Sequence, residues 1–438
     1  MNGSSKPLRQ VGTRRPEGCL RMRFLFALPD MAGNSPPTFE VGRRLVARGH
    51  AVRMLAWPDL RPAIESVGCT YVPFNRTPVF ERAEMQRIRQ TRSNETVFVR
   101  DHVFFESPLS CARDVLDEIE ANPADVAAID VMIPSALCGA EAAGVPRAIL
   151  MHSVYFHPGS GLPAVGLGSL PARTFLGRAR DALVWTMLER FMAKGMRSLN
   201  EARGQLGLGA VSRFVDLSSK ADRVLVMTSK SFDFQAEELP PNVRYVGAQL
   251  EPGAPGGWDS PWSPSDTRPL VMVGLSTDDM GQVPLLRKLI RTLDALDVRA
   301  LVTTGREIDP DLFEASDGVA IRRFVPHQDV IPHADLVITH AGHGTVIRAL
   351  AAGVPLVCIP LGRDQYDVAA RVVACGAGPK LRRTARPAAI QRSITAALEN
   401  ARYREAAARL SAAISKETEQ NLAVRELEAL AANEESAS

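Results

Sequence analysis

The stretch Thr339-His-Ala-Gly-His-Gly-Thr345 carries the residue types from which a phosphate site is built. Two glycines, a hydroxyl residue and a run of backbone N–H groups stand where an apolar strand gives way to a helix. Amides at a helix N-terminus hold an anion such as a diphosphate without a metal, and His340 adds a hydrogen bond or a positive charge. A tight turn with a threonine cap explains the same residues with no ligand at all. Polar residues also follow short apolar runs at Leu28, Asp130, Leu150, Val273, Thr304 and Thr339. Open parallel sheets place their ligands beyond such strand ends, so these positions should converge on one cleft. Asp278-Asp279 is the nearest approach to a metal motif and reads as a solvated turn, so no metal is expected.

The elements that must position these residues alternate. Arg23-Phe-Leu-Phe-Ala-Leu28 is a continuous apolar run of the kind a strand buried on both faces shows. The loop Pro29–Pro37 leads to a helix over Thr38–Arg48, with Val41 and Leu45 four apart and Gly49 at the C-cap. His50–Leu55 is the next strand, which completes one right-handed βαβ unit. The pattern predicts further helices near Ala112–Ala121 and Ser135–Ala143, and strands at Val126–Asp130, Arg147–Leu150 and Arg223–Met227. These make a first domain over residues 23–248. Two long irregular stretches, Asn75–Asp101 and Gly159–Gly177, are candidate walls and lids of a ligand pocket. Residues 249–268, rich in Pro, Gly and Ser, form a linker. A second α/β series fills 269–400: strands Leu270–Val273, Arg299–Thr303, Asp335–Thr339 and Pro355–Ile359, and helices Val283–Leu296, Thr345–Ala352 and one beyond Tyr366. Residues 401–438 read as helix packing back on the first domain. The fold class is α/β, with two doubly wound parallel-sheet domains facing a central cleft.

Composition narrows the partners. The 438 residues carry a net charge of +3, but residues 1–23 alone hold +5, so the body is near neutral. A general nucleic-acid or anionic-membrane binder needs basic residues clustered on its folded surface, and none is expected here. Six dispersed cysteines with no C-x-x-C pair suit a reduced, cytoplasmic chain. No apolar run is long enough to span a membrane, the run Phe24–Leu28 is too short for a signal peptide, and no apolar face for docking on a membrane is visible. Residues 1–22 read as a disordered basic tail or as the product of an upstream start codon before Met22.

The segment Phe324-Val-Pro-His-Gln-Asp-Val-Ile-Pro-His-Ala-Asp-Leu-Val-Ile-Thr-His340-Ala-Gly-His-Gly-Thr345, continued by Gly353-Val-Pro355 and Gly362-Arg-Asp-Gln365, resembles the donor signature of family 1, UDP-glycosyltransferase-like enzymes of GT-B fold. Arg48-Gly-His-Ala-Val52 and the Leu275-Ser-Thr277 turn are similar to this family too, so the resemblance spans about residues 22–400. Its nearest flavour is the bacterial branch that decorates macrolide- and polyketide-type secondary metabolites. The resemblance implies an inverting, metal-independent transfer from a UDP- or dTDP-sugar, with no other cofactor, to a small-molecule acceptor. It also implies that His340 and the amides near Gly342, Gly344 and Thr345 bind the diphosphate, that Thr277 touches phosphate from the opposing turn, and that Val325 meets the base through its backbone. Asp364 and Gln365 would hydrogen-bond the sugar.

The chain departs from the pattern twice. Where plant members carry a Glu for the ribose, Arg348 stands here, which makes a dTDP-sugar as plausible a donor as a UDP-sugar; the alternative is an ordinary solvent-facing helix residue. Where the family places a first-loop His to deprotonate the acceptor, Ala32 stands. Asp130 matches the region of the family's second catalytic residue, Asp30 lies in the first loop, and His152 follows the next strand, so these are the candidates to replace it. An acidic phenol or enol tolerates a missing base, which points to an aromatic or polyketide-like acceptor, glycosylated at oxygen or carbon. The acceptor pocket is expected from the loops near Phe74–Phe105 and His152–Leu176, with His152 and Phe105 as contacts. A degenerate homologue that binds nucleotide-sugar without transfer is the competing class. The chain is expected to be a monomer or a homodimer.

Overall fold

The computed structural model describes residues 21–30, 33–78, 99–253, 258–277 and 279–435. The basic segment before Arg21, Ala32, Asp278 and much of the first long loop lie outside them. The first unit is a seven-stranded sheet of β1 (Arg23–Leu28), β2 (Ala51–Ala56), β3 (Thr70–Pro73), β4 (Val126–Asp130), β5 (Arg147–Met151), β6 (Arg223–Val226) and β7 (Val243–Tyr245), in the order β3-β2-β1-β4-β5-β6-β7. Every neighbouring pair is parallel. The second is a parallel sheet of β8 (Leu270–Gly274), β9 (Arg299–Thr303), β10 (Val319–Arg322), β11 (Leu336–Thr339) and β12 (Leu356–Cys358), in the order β10-β9-β8-β11-β12.

Alternation within each strand explains why these runs are continuously apolar. Phe24, Phe26 and Leu28 of β1 enter one core layer while Leu25 and Ala27 enter the other. In the second sheet Leu270 and Met272 face one layer and Val271 and Val273 the opposite one. Each fully buried Leu, Phe or Val of this kind contributes about 1.5–3 kcal/mol. Helices cover both faces: α1 (Ser35–Ala47), α2 (Arg61–Ser66), α3 (Pro108–Ala121), α4 (Pro134–Ala142) and α5 (Phe175–Gln205) in the first unit, and α6 (Val283–Asp294), α7 (His327–Val330), α8 (His343–Ala351), α9 (Gln365–Ala374), α10 (Pro387–Glu399) and α11 (Ala401–Glu419) in the second. Gly49 ends the α1 region in the left-handed conformation, φ +94°, which suits a residue without a Cβ. The final helix, α12 (Leu422–Glu435), sends Ala423, Val424, Leu427 and Leu430 into the core of the first sheet. The carboxylate of Glu428 accepts from Arg48 Nε at 2.6 Å and lies 2.8 Å from His50 Nε2.

Two features were not visible in the sequence. The 31-residue helix α5 begins inside the stretch expected to be irregular. Its inner side buries Trp185, Met192, Met196 and Leu199, but Leu183 and Met187 face outward, so no one-sided apolar stripe marks it. The same outward residues leave apolar side chains exposed that the sequence did not reveal. The short edge strands β3, β7 and β10 were also missed, since three or four residues carry too little pattern to separate strand from loop.

Strand order reverses between β1 and β4 in one sheet and between β8 and β11 in the other. At such switch points the helices depart to opposite sides and leave a crevice beyond the strand ends.

Candidate active site

On the first sheet the crevice opens past β1, β4 and β5. Asp130, the last residue of β4, and His152, immediately after β5, are both buried, with His152 Nε2 3.1 Å from Asp130 Oδ2. The main-chain amide of Met132 donates to Asp130 Oδ1 at 2.8 Å. The side-chain amide of Asn34 stands 3.5 Å from both carboxylate oxygens, and Thr38 Oγ1 is 3.5 Å from His152 Nε2. An ionised carboxylate only accepts, so the tautomer that satisfies Asp130 carries its proton on Nε2. That leaves a lone pair on Nδ1, which is buried and has no hydrogen-bond partner among the described residues. A buried imidazole held by a carboxylate on one nitrogen and open on the other is built to take a proton. Asp30, the other sequence candidate, is half-buried just past β1.

Past the ends of β1 and β4 lies a small pocket lined by Pro29, Trp57, Phe74, Phe104, His102 and Ile133, among others. Phe105, expected there, is buried instead with Met192, Met196 and Leu199 of α5. Gly195 stands against its ring so closely that a Cβ at that position would lie 2.0 Å from it. The backbone has turned the neighbouring Phe104 to the pocket.

The second sheet presents the turn after β11. Ala341 is fully buried with φ +66°, and Gly342 caps α8. The helix therefore begins at His343, and Thr345 lies in its first turn rather than capping it. The first backbone bond runs from Val346 N to Gly342 O at 3.0 Å, which leaves the amides of His343, Gly344 and Thr345 outside the ladder and directed at the crevice end of the helix. A Cβ on Gly342 would stand 2.6 Å from His340 Nε2, so this glycine lets the His340 ring fold over the turn. Thr277, Val325, Gly344 and Thr345 are half-buried around the same crevice.

Two residues here differ from their expected roles, and a third was not expected at the site. Gln365 is buried, its carbonyl oxygen accepts from the amides of Leu361 and Gly362 at 2.8 and 3.0 Å, and its side-chain nitrogen donates to Met280 Sδ at 3.5 Å, so it braces its own turn. Arg348 is not a solvent-facing residue: it is half-buried, Nη1 stands 3.4 Å from the main-chain oxygen of Glu251 in the linker, and burial lowers its pKa. His327, which sequence reasoning did not single out, lies under the site 3.3 Å from Thr303 Oγ1. Burial, with Arg348 and His340 nearby, pushes its pKa down to about 4, so it is neutral at pH 7.

Polar bonds tie the two halves across the cleft. Ser153 donates to Asp364 Oδ2 at 2.6 Å. Thus consecutive residues reach opposite ways, His152 back to Asp130 and Ser153 forward to the second domain. His343 Nε2 is 2.7 Å from Thr228 Oγ1. Burial holds the His343 pKa at about 4, so this is a neutral imidazole bracing the domains. Arg371 of α9 pairs with Asp233 at 2.5 Å, both side chains buried. Tyr245 donates its hydroxyl to the same carboxylate at 2.9 Å, and burial beside that charge drives the phenol pKa far up. Asp367 accepts from the amides of Gly166 and Gly168 at 2.6 and 2.8 Å, which fastens the loop after β5 onto α9. Among the described residues no three His, Cys, Asp or Glu side chains gather as a metal site.

Comparison with known proteins places this geometry. Residues 287–430 match the family described as erythromycin biosynthesis protein CIII-like, C-terminal domain. The chain is 32% identical over 400 residues to 4'-demethylrebeccamycin synthase of Lentzea aerocolonigenes, an alignment covering 89% of this chain and 94% of that protein. Among solved structures, the kitacinnamycin glycosyltransferase superposes with a TM-score of 0.74 at 21% identity, over 94% of this chain and 99% of that one. The glycosyltransferase VinC, solved in complex with dTDP, gives a TM-score of 0.67 at 18% identity, over 94% of this chain and all of that one. The chain belongs to the bacterial secondary-metabolite glycosyltransferases of GT-B fold, and it is a glycosyltransferase.

Proposed function

We propose that the enzyme moves a sugar, with inversion and without a metal ion, from a dTDP- or UDP-sugar to a hydroxyl of a small aromatic or polyketide-like acceptor, and that His152 is the base. The observation that carries this reading is the buried Asp130–His152 pair with its unpartnered Nδ1. It supplies from β4 and β5 what the first loop lacks at Ala32. The acceptor hydroxyl gives its proton to Nδ1 as its oxygen attacks the anomeric carbon from the face opposite the leaving diphosphate. The bond from that carbon to the diphosphate oxygen breaks, and its electron pair leaves with the diphosphate. One displacement inverts the centre. Asp130 holds the ring and stabilises the imidazolium that forms.

The donor side supports the same reading. The free first-turn amides of α8 and His340 meet the growing charge on the diphosphate, the work for which a divalent ion is otherwise used. Asp364, Thr277 and Val325 orient the sugar and nucleotide, and Ser153 aims the Asp364 carboxylate. VinC was solved with dTDP, and Arg348 in place of an acidic ribose partner agrees with a deoxyribose donor. Nδ1 has no exposure in this arrangement, in which Ser153 and His343 both bridge the domains, so acceptor entry requires those bridges to part.

The test needs no knowledge of the acceptor. A thermal-shift series with dTDP, UDP, GDP and ADP, with and without chelator, should show stabilisation by dTDP or UDP that survives the chelator. At 100 times its dissociation constant a ligand adds about 2.7 kcal/mol. A response that vanishes with the chelator would refute metal independence, and no response to any nucleotide would refute the donor assignment.

A further inference from the structure

Ten large apolar side chains stand exposed among the described residues, and six of them fall within residues 167–187: Leu167, Leu170, Phe175, Leu176, Leu183 and Met187. Phe175 and Leu176 are 82% and 79% exposed. They form the tip of α5, held in place by Thr174, whose hydroxyl accepts from the amide of Gly177 at 3.2 Å. Tyr366 and Val373 of α9, also exposed, adjoin the same face, because Gly168 rests against the backbone of Tyr366. The inner side of α5 is already filled by Trp185, Met192 and Met196, so the outward residues are not needed to hold the helix. A contiguous apolar face of this kind marks a surface that is covered in use.

Its charge says by what. Exposed Arg173, Arg190 and Arg197 rim the apolar residues, together with Arg178, Lys194 and Arg180, which pair with Glu237, Asp101 and Asp181. The only acids between 173 and 197 are turned inward: Asp181 is largely buried and holds Arg180, and Glu189 accepts from the amides of Phe214 and Val215 at 3.0 and 3.3 Å. This stretch is net +4, whereas the rest of the chain beyond residue 23 is net −6. A second copy docking through a two-fold axis would set this basic rim against itself. An anionic lipid surface meets both features, with apolar residues entering the headgroup region and basic residues lying against the lipid charge.

We propose that the outer face of α5 and the loop before it seat the enzyme on an anionic membrane surface. The loop that carries Leu167 and Leu170 begins at His152, so a seated enzyme turns the mouth of its site toward lipid, where an apolar acceptor partitions. This inference does not depend on which group is the catalytic base.

The test uses the full-length chain sedimented with phosphatidylcholine vesicles, with and without phosphatidylglycerol. The expected result is binding to the anionic vesicles that weakens as salt rises, at least about tenfold weaker binding to phosphatidylcholine alone, and at least about tenfold loss in a Phe175→Glu/Leu176→Glu variant. The melting temperature and the affinity for dTDP should be unchanged in that variant. Leu183→Gln/Met187→Gln supplies a second variant should the first fail to fold. A chain lacking residues 1–20 should still bind, which separates this face from the basic N-terminal segment. Absence of binding, equal binding by both double variants, or loss of binding with residues 1–20 would overturn the proposal. So would a dimer by light scattering that the variants dissolve, which would make a second copy the occupant.

Discussion

The two faces of the cleft are made in different ways. The proposed donor face comes from one nearly continuous stretch, Phe324 to Gln365, and its candidate anion site is backbone: the turn at Ala341 and Gly342 and the amides that open α8 outside the helix ladder. The acceptor face is assembled from side chains far apart in sequence, with Asn34 and Thr38 from α1 and its N-cap, Asp130 from β4 and His152 after β5. A backbone site constrains local sequence, because glycines must stand where no Cβ fits. A side-chain site constrains only where strand ends meet, so its residues can migrate from one strand end to the next while the chemistry persists. Under the proposed mechanism, the first-loop position held by Ala32 and a base at His152 are an instance of that migration.

Four substitutions or conditions sharpen this contrast. Asp130→Asn should have the largest effect. An amide that donates to Nε2 forces the proton onto Nδ1, so the turnover rate should fall by about 10²–10⁴-fold while dTDP affinity is unchanged. Equal loss of nucleotide affinity would mean that the two faces are not separable. Gly342→Ala should do the reverse: the added Cβ displaces His340, weakening nucleoside diphosphate binding by about tenfold, as expected for one charge-assisted hydrogen bond. Calorimetry with dTDP reads it directly. Ser153→Ala removes one hydrogen bond to Asp364, so KM for the nucleotide-sugar should rise by a few fold with free dTDP affinity unaltered. A change in both would place Ser153 in general domain closure rather than in sugar orientation.

The smallest effect is on stability. His343 and His327 are held near pKa 4 in the folded chain, against about 6.5 when unfolded. Between those values the unfolded chain binds more protons, so the stability these residues carry is present above pH 6.5 and drains away as pH falls toward 4. The melting temperature should drop over that window, less steeply for His343→Gln. An identical slope in that variant would show that His343 is not the source.

Most of the donor face was legible because residue type and backbone geometry coincide there. The turn and the strand before it show in Thr339–Thr345 itself, while the helix starts two residues earlier than its threonine suggests. Gln365 and Arg348 were harder, since a signature position does not reveal that a glutamine oxygen is already taken by Leu361 and Gly362, or that an arginine leans on the linker at Glu251. On the acceptor face the strand ends at Asp130 and Leu150 were legible and so were the candidate residues. Their pairing was not, because it depends on β4 and β5 lying side by side. Phe105 and Phe104 show the limit of such reading: of two adjacent identical side chains packed on the same cluster, one is fully buried against α5 and the other reaches the pocket, a difference set by tertiary packing.

The central claim is that His152 does the work of the absent first-loop base. The most direct test is the single-turnover rate of wild type and His152→Gln at saturating donor, across a series of phenolic acceptors of increasing acidity. The account predicts a loss of about 10²–10⁴-fold for the least acidic acceptor that shrinks steadily as the acceptor ionises without help. A rate that His152→Gln leaves within a few fold of wild type for every acceptor, or a loss that is the same for all of them, would contradict it.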